Sequence, residues 1–429
     1  MKKVKVGIIG FGTVGAGTAS SLLKNADIIA DRTGIKLELC KIADLDIVTD
    51  RGIDLPAGIL TTDAEELIND VDVVVELIGG TGIAKDLILK ALKQSKPVVT
   101  ANKALIATHG EELFAAAEQS EADIYYEASV AGGIPVIKAL REGFAGNRIE
   151  KIVGIMNGTC NYILTKMENT GVGFEEVLKE AQELGYAEAD PTFDIDGIDT
   201  AHKTAILASL AYGEWFGLEP VMVEGIRNLQ LCDIKYADEF GYRIKLLGII
   251  KQEKEDVQIR VHPALIKKST LLADVSDVFN AVMIKGDPVG ETLFYGKGAG
   301  MEATSSAVVA DIIDVALNLK YGSHRRVPAF RIGKQFEKVV SQENIISRYY
   351  VRLTVLDRPG VVAAVSQILG DNNISISSML QKETSNNGEA SLLILTHEAK
   401  EGSVKESIDQ IEALDCVKDK AVLLRVEDL

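Results

Sequence analysis

The sequence predicts an α/β protein that begins with a doubly wound parallel sheet, continues with an α+β domain and ends in a ferredoxin-like domain. Three observations support this prediction. Short apolar stretches alternate with helix-like stretches in the N-terminal part, and a glycine-rich hexapeptide follows the first apolar stretch directly. The residues after 349 show the pattern βαββαβ, which is the ferredoxin-like split unit.

The N-terminal elements follow from hydrophobic pattern and β-branched content. Strands that are apolar along their whole length are typical of parallel sheets with helices on both faces. The predicted strands are 4–9, 37–44, 72–78 and 97–101, and the predicted helices are 13–24, 83–95 and 110–119.

The hexapeptide GFGTVG (10–15) matches G-x-G-x-x-G and lies between a predicted strand and a predicted helix. Its first glycine permits a tight turn, the second lets a pyrophosphate approach the backbone, and the third allows close helix–strand packing. This context predicts a Rossmann domain that binds a dinucleotide. The expected cofactor contacts are Gly10, Phe11, Gly12, Thr13, Val14 and Gly15.

The choice between NAD and NADP stays open. Asp44, at the end of the second strand, favours the ribose hydroxyls of NAD, whereas Arg51 could hold the 2′-phosphate of NADP. Asp44 is also farther from Gly15 than the usual spacing.

The regular alternation of predicted strands and helices ends near Glu127, where glycine-rich EASVAGGIP leads into mixed helices and strands. A helix-like stretch at 305–320 is expected to return to the first domain. The predicted boundaries are 1–130 for the Rossmann domain, 131–304 for a substrate-binding and dimerisation domain, 321–348 for a linker, and 349–429 for the last domain.

Composition excludes several classes of partner. The net charge is −17 without a basic patch, which argues against nucleic acid and anionic membranes. The four cysteines are widely spaced, so no disulfide framework is expected and a reducing, cytoplasmic setting fits. No stretch approaches the ~18 apolar residues of a membrane span.

The segment GYAEADPTFDIDGIDTAHK (185–203) places several acids beside one lysine, directly before an apolar run. Asp199 and Lys203 are four residues apart, so on a helix they share a face. A carboxylate and an amine at the start of a buried helix suit a small polar substrate. The alternative is an acidic cluster that only complements a helix dipole.

Several motifs together resemble the homoserine dehydrogenase family, in order from residue 1 to about 320. They are GFGTVG (10–15), ANK (101–103), EASVAGGIP (127–135), MNGTCNYIL (156–164), GYAEADP (185–191), DIDGIDTAHK (194–203) and YGKGAG (295–300). LDRPGVVAAVSQIL (356–369) resembles an ACT domain, a module that binds small ligands. Because no aspartate kinase segment precedes the first strand, the monofunctional form is expected.

The resemblance implies reversible reduction of aspartate 4-semialdehyde to homoserine with NAD(P)H, on the route to threonine and methionine. The reaction needs a proton for the developing alkoxide. Lys203 is the first candidate donor, since apolar surroundings would lower its pKa. Lys103, which is expected at a strand's carboxyl end, could share that role, polarise the aldehyde or contact the cofactor. The resemblance also implicates Gly300 in cofactor binding.

Carboxylates suit the substrate's ammonium group. Glu188 and Asp199 are the expected partners, Asp199 also holds Lys203, and Asp194 and Gly185 complete the expected substrate site. Asp190 and Asp196 favour capping and turn roles. His202 is interpreted as structural, because its neighbours in sequence point to different helix faces.

A divalent metal in the acidic segment is not expected, because the spacing does not fit a calcium loop. The family resemblance implies instead a structural Na⁺ held by Glu127 and the carbonyls of Val130, Gly132 and Ile134. From chemistry alone, a glycine hinge is the better interpretation of that loop.

The last domain is expected to bind an amino-acid effector such as threonine, near Asp357, Gly360, Asn372 and Asn373, at an interface between two ACT domains. The alternative is a dimerisation module without a ligand. A homodimer or homotetramer is expected. Two other functions stay open: another NAD(P)-dependent amino-acid dehydrogenase, and a sensor that binds NAD(P) and an amino acid without turnover.

Overall fold

The computed structural model describes residues 1–324, 326–328, 336, 338–383 and 388–429, so part of the predicted linker 321–348 lies outside the described residues. The chain forms two compact units. The first comprises Met1–Gly158, Asp199–Val221 and Phe279–Gln335, and the second comprises Thr159–Ile198, Met222–Val278 and Phe336–Leu429.

The strands and helices are numbered in chain order. The strands are β1 (Lys2–Ile9), β2 (Ile35–Ala43), β3 (Leu60–Thr61), β4 (Val73–Glu76), β5 (Val98–Thr100), β6 (Ile124–Tyr125), β7 (Arg148–Ile155), β8 (Met222–Val223), β9 (Tyr242–Glu253), β10 (Asp256–Lys267), β11 (Phe279–Asp287), β12 (Gly290–Lys297), β13 (Ile346–Leu356), β14 (Ile376–Glu383), β15 (Glu389–Thr396), β16 (Ala399–Lys400) and β17 (Val422–Glu427). The helices are α1 (Thr13–Lys24), α2 (Ala26–Thr33), α3 (Ala64–Asp70), α4 (Ile83–Lys93), α5 (Lys103–Gln119), α6 (Val136–Lys138), α7 (Gly158–Thr170), α8 (Phe174–Glu183), α9 (Thr192–Ile195), α10 (Ile198–Tyr212), α11 (Leu231–Glu239), α12 (Met301–Tyr321), α13 (Val361–Asp371) and α14 (Glu401–Glu412).

The first unit contains the predicted parallel sheet, with strand order β3-β2-β1-β4-β5-β6. Each of its five strand pairings is parallel. Val6, Val73 and Val99 are buried, as expected for strands covered on both faces. The doubly wound Rossmann-type sheet is therefore confirmed, and its strands bring their carboxyl ends to one edge, where such sheets bind ligands.

Helix α12 returns to this sheet and packs on it through Val308, Ile312 and Val315. It also lies against α1, where a Cβ at Gly17 would come within 2.6 Å of Met301 Cγ. The glycine therefore permits the close approach of the two helices. The first unit also holds an antiparallel sheet with the order β12-β11-β7.

The second unit contains a mixed sheet with the order β9-β10-β17-β13-β15-β14. Its last four strands, with α13 and α14, give the predicted βαββαβ topology. Strand β17 lies between β10 and β13, with Arg425 opposite both Ala264 and Tyr349. The ACT sheet is therefore continuous with the hairpin β9–β10.

Helix α11 is attached to this sheet by a buried charge pair. Asp233 accepts hydrogen bonds from Arg352 Nε at 2.6 Å and from the Tyr350 hydroxyl at 3.2 Å, and it also caps its own helix through the Gln230 N–H. Because Asp233 is fully buried, these donors are what make its charge tolerable there. Among the described residues, no helix is long and apolar enough to cross a membrane.

Candidate active site

A buried polar network lies at the carboxyl ends of β4 and β5. Glu76 accepts hydrogen bonds from the backbone N–H groups of Ile78 and Gly79 at 2.8 and 3.2 Å, and from the Thr100 hydroxyl at 2.7 Å. Burial raises the pKa of Glu76, against the opposing effect of these hydrogen bonds. The network fixes the two loops that leave the sheet at its ligand-binding edge.

The same network positions Lys103. Asn102 donates from its side chain to the Gly80 carbonyl at 2.7 Å, and its side-chain oxygen caps α5 by accepting from the Leu105 N–H at 3.1 Å. Lys103 is the first residue of α5. The helix start is thus held from both sides, and the predicted helix at 110–119 begins earlier, at the Asn102 cap.

Asp199 lies at the centre of a cluster of polar groups. Lys203 Nζ donates to its Oδ2 at 2.7 Å and to the carbonyl oxygen of Met156 at 2.6 Å. Lys103 Nζ lies 2.5 Å from Oδ1, and the side-chain amide of Asn157 donates to Oδ2 at 2.9 Å. The structure therefore brings together all three predicted catalytic residues.

The charges in this cluster are coupled. Asp199 is 2% exposed, and burial alone would raise the pKa of its carboxyl group. The ammonium groups of Lys203 and Lys103 outweigh burial, and the pKa of Asp199 lies well below its ordinary value. Asp199 is therefore an anion at neutral pH, and its two carboxylate oxygens lie against the nitrogen atoms of both lysines.

The two lysines differ in access. Lys203 is buried on α10, whereas the Lys103 side chain is 35% exposed. His202, next to Lys203, is also buried, and burial lowers its pKa. The neutral imidazole that results fits the structural interpretation made from the sequence.

The glycine-rich loop has the geometry that a pyrophosphate requires. Gly10 adopts φ +101°, and a Cβ at Gly15 would lie 1.9 Å from the Gly10 carbonyl oxygen. Nothing lies within 4 Å of a Cβ at Gly12, and no side chain caps α1. The exposed N-terminus of α1, around Thr13 and Val14, thus leaves room and free N–H groups for a phosphate.

Asp44 and Arg51, the two candidates for cofactor selection, already have protein partners. Asp44 accepts hydrogen bonds from the Phe11 N–H at 2.5 Å and from the Asp46 N–H at 2.8 Å. Arg51 donates to Asp46 at 3.0 Å on an exposed loop. Asp44 thereby holds the glycine-rich loop at Phe11, and Arg51 would have to leave Asp46 to reach a 2′-phosphate.

Gly300 is the N-terminal cap residue of α12, with φ +107° and open space around it. No side chain caps this helix, so the N–H groups of its first turn have no intrahelical partner. The helix start and the start of α1 belong to the same unit and are joined by the contact between Gly17 and Met301.

The loop that follows β6 contains a buried carboxylate. Glu127 is 3% exposed, and its two oxygens accept the N–H groups of Ile137 and Lys138 at 2.8 and 2.7 Å. Its own N–H donates to buried Asp311 at 2.7 Å. Burial raises the pKa of Glu127 to about 7 and that of Asp311 well above its usual value.

Glu127 has no cationic side chain beside it: within the described residues, no lysine, arginine or histidine nitrogen lies within 4.0 Å of its carboxylate. The Ile134 carbonyl accepts the Val136 N–H at 2.7 Å, and no backbone N–H of the described residues donates to the Val130 or Gly132 carbonyl. The loop therefore combines a buried negative charge with carbonyl oxygens, a donor set that fits a hard monovalent cation.

The other acidic residues of the segment 185–203 belong to the second unit, whereas Asp199 belongs to the first. Glu188 is exposed, Gly185 turns with φ +75° after α8, and Asp194 lies in α9. Asp190 accepts the Thr192 N–H at 3.1 Å, as expected for a turn residue. Asp196 is the C-cap residue of α9, in line with the predicted capping and turn role, and both of its oxygens also bind the Arg227 guanidinium, at 2.9 and 3.1 Å.

Sequence reasoning did not single out Glu76, Thr100, Asn102 or Asn157 as site residues. A usable signal existed for Glu76, since it is the one acid within the apolar strand VVVE. Asn157 and the Met156 carbonyl belong to MNGTCNYIL, a motif that served only for the resemblance. Their distance in sequence from Asp199 hid the contact.

Known families match most of the chain. Residues 10–127 match the family described as "Homoserine dehydrogenase, NAD binding domain", residues 135–313 match "Homoserine dehydrogenase", and residues 349–416 match "ACT domain". These ranges cover the glycine-rich loop, the Asp199 cluster and the βαββαβ unit as far as residue 416, which precedes its last strand, β17.

Relatives that align with the whole chain are also homoserine dehydrogenases. The homoserine dehydrogenase of Neisseria gonorrhoeae is 48% identical over 100% of both chains, and that of Pseudomonas aeruginosa is 47% identical over 100% of both. The crystal structure of a homoserine dehydrogenase from Thiobacillus denitrificans has a TM-score of 0.94 at 47% identity, covering 100% of this chain and 99% of that one.

The Glu76 network gives a prediction about the stability of the first unit. Glu76→Ala leaves two N–H groups and a hydroxyl without their acceptor, which should cost roughly 3 kcal/mol or more. Glu76→Gln keeps an acceptor and removes a charge that burial disfavours, so it should cost no more than about 1 kcal/mol. Urea unfolding of both variants checks this, and equal destabilisation would show that the charge of Glu76, not its hydrogen bonding, is required.

Proposed function

The chain belongs to the homoserine dehydrogenase family, and on that premise we propose that it oxidises L-homoserine to L-aspartate 4-semialdehyde and reduces the semialdehyde back, using NAD(P)(H). The observation that carries the proposal is the Asp199 cluster with its two lysines. The reaction belongs to threonine and methionine biosynthesis. It is favoured over another amino-acid dehydrogenase because the family match includes both the nucleotide domain and the domain with Asp199.

The dinucleotide fits the N-terminal edge of α1, where Gly10, Gly12 and Gly15 leave space for its pyrophosphate. When bound, its nicotinamide accepts or supplies the hydride at the carbon that becomes the aldehyde. Phe11, Thr13 and Val14 are proposed neighbours, as are Gly300, Arg51 and Lys103. Both NAD and NADP remain candidates.

Lys203 is the proposed proton donor in the reduction and acceptor in the oxidation. Its ammonium group donates to the Asp199 carboxylate and to the Met156 carbonyl. These two acceptors fix the position of the nitrogen, and only one of them is a carboxylate. Lys103, more exposed and bound to the other oxygen of Asp199, is the second candidate and is suited to polarise the carbonyl.

Glu188 and Asp194, with the turn at Gly185, are the proposed partners of the substrate's ammonium group. The sequence also suggested Asp199 for that role. Both oxygens of Asp199 already lie against lysine nitrogens, so holding the lysines is its proposed principal task.

Initial rates of homoserine oxidation with NAD⁺ and with NADP⁺ test the reaction and the cofactor together. Lys203→Met should lower kcat by about a hundredfold or more, because general acid–base catalysis contributes on that order. Lys203→Arg is the matched control for charge: it keeps the cation but cannot release a proton, so it should be equally slow.

Two outcomes would change the assignment. Turnover that survives Lys203→Met and is lost in Lys103→Met would move the proton to Lys103. A wild-type protein without turnover with either cofactor would contradict the enzyme and favour a sensor that binds the same ligands.

We also propose that Na⁺ binds beside Glu127, with the carbonyl oxygens of Val130, Gly132 and Ile134 as further ligands. The buried carboxylate, which makes no ion pair within 4.0 Å in the described part of the chain, supports this. The ion's role is structural, since it would neutralise a charge next to buried Asp311.

The raised pKa of Glu127 sets the pH dependence of this site. Because the folded protein holds a proton on Glu127 up to about pH 7, Glu127 makes stability fall as pH rises from the unfolded-state pKa toward 7. Na⁺ binds the ionised form, so it should restore stability above that range.

The measurement is the thermal midpoint in NaCl and in choline chloride at equal ionic strength. At about pH 8 the midpoint should be a few degrees higher in NaCl, and at about pH 5.5 the difference should shrink. Glu127→Gln should show no difference at either pH. An Na⁺ effect of equal size in Glu127→Gln would contradict the site.

The ACT domain is proposed to bind an amino-acid effector such as threonine, at an interface between ACT domains in a homodimer or homotetramer. Gly360 caps α13 with φ +94°, close in sequence to Asp357. Asn372 and Asn373 lie at the other end of this helix, about 16 Å away. A ligand that binds at the Gly360 end would therefore not reach Asn372 and Asn373 of the same chain. Saturating threonine should lower the initial rate, and an unchanged rate would contradict the proposal.

The remaining proposals concern domains and location. We place the domain boundaries at 1–130 with 305–320, 131–304, 321–348 and 349–429, supported by the matched ranges. A cytoplasmic location is supported by the four cysteines, which are dispersed along the chain.

A further inference from the structure

The final strand of the chain carries a buried arginine with two carboxylate partners. Arg425 on β17 is 1% exposed. Its Nε donates to Glu401 at 2.8 Å, and its Nη1 and Nη2 donate to Glu224 at 2.7 and 2.9 Å. The pair with Glu224 is bidentate, which fixes direction as well as distance.

Glu224 ties this arginine to the segment that follows β8. Its N–H donates to the Val261 carbonyl of β10 at 2.8 Å, and its side chain also accepts from Gln342 at 3.1 Å. Residues 224–227 are therefore anchored to β10 through the backbone and to β17 through the Glu224 side chain.

The opposite side of residues 224–227 holds the acidic segment. A Cβ at Gly225 would come within 2.2 Å of the Ile195 carbonyl oxygen, so the two backbones are in direct contact. The Ile226 N–H donates to that same oxygen at 2.7 Å. Arg227 binds both oxygens of Asp196 at 2.9 and 3.1 Å.

These contacts form a continuous path from the ACT sheet to α9 and its neighbours. We propose that Arg425, acting through Glu224, is a positioning residue for the segment 185–198, which carries Glu188 and Asp194. The inference rests on the proposed function, because it assigns a role to the segment that holds the substrate's ammonium group. It assigns Arg425 no contact with substrate.

Rigidity explains why a charged pair suits this task. A guanidinium that binds two carboxylates has few alternative geometries, and a variant that weakens the pair with Glu224 still leaves Arg425 paired with Glu401. None of residues 224–227 is a proposed ligand of the substrate; they contact α9 and Asp196 through the backbone of Gly225 and Ile226 and through the side chain of Arg227. Loosening them should therefore affect substrate binding more than the chemical step.

The test compares two glutamates that pair with buried arginines next to β17. Glu224→Gln replaces one acceptor oxygen with an NH₂ group that faces the Arg425 guanidinium. Glu427→Gln is the matched control, because Glu427 pairs with buried Arg260 at 2.5 Å and, in the described part of the chain, makes no hydrogen bond or ion pair with residues 224–227. Both variants keep side-chain volume and leave Lys203, Lys103 and Asp199 in place.

Glu224→Gln should raise KM for homoserine by about tenfold, with kcat within about twofold and KM for the nucleotide unchanged. Glu427→Gln should leave all three constants unchanged, even where its thermal midpoint falls by a similar amount. Arg425→Lys should raise the same KM, and the double variant Arg425→Lys/Glu224→Gln should not exceed the larger single effect, because the two residues act in series.

Each other outcome overturns the inference. An unchanged homoserine KM in Glu224→Gln removes the positioning role. An equal rise in Glu427→Gln shows general loosening of β17. A loss of kcat with an unchanged KM would show that the substitution affects the chemical step and not substrate binding. If the wild type itself lacks turnover in the same assay, the proposed function fails first, and the inference fails with it.

Discussion

The buried carboxylate of Asp199 is the constraint on which the active site depends. A charge with 2% exposure is tolerated only with compensating partners, and here they are two lysines and an asparagine. Three distant parts of the chain therefore have to meet: the ANK loop after β5, the MNG sequence after β7, and α10. Removing the carboxylate would leave two adjacent ammonium groups that repel each other.

Other hydrogen bonds in the first unit hold these three parts of the chain in place. Glu76 and Thr100 fix the loops at the carboxyl edge of the parallel sheet, and Asn102 caps the helix that begins with Lys103. The same edge holds the glycine-rich loop, which Asp44 fastens through the Phe11 N–H. One sheet thus positions both the glycine-rich loop and Lys103, which is the general advantage of this architecture.

Much of the fold was predictable from local pattern. Apolar strands, the glycine motif and the βαββαβ order gave the parallel sheet and the last domain, because periodicity and turn chemistry act over short distances. The pairing of β17 with β10 was not predictable, since nothing in KAVLLRVED indicates a second neighbouring strand. The predicted start of α5 was too late, because the true start depends on the Asn102 cap. That cap depends in turn on Glu76, which is distant in sequence, and on Thr100, which precedes the helix.

The site shows the same division. Asp199 and Lys203 were predictable as a pair from their spacing of four on one helix. The assignment of Lys103 to the site rested on family resemblance, and its contact with Asp199 was not predicted, because 96 residues separate them and no periodicity spans such a gap. The ion pair of Asp196 with Arg227 was not predicted either, because 31 residues separate the two. Long-range charge pairs are what local sequence reasoning misses.

The most direct test of this account is the kcat of Asp199→Asn for homoserine oxidation, measured beside its affinity for the nucleotide. Asparagine keeps the size of the side chain and removes only the charge that holds both lysines. We predict a loss in kcat of about a hundredfold or more with nucleotide affinity retained. Turnover close to that of the wild type would contradict it, because the lysines would then need no carboxylate between them.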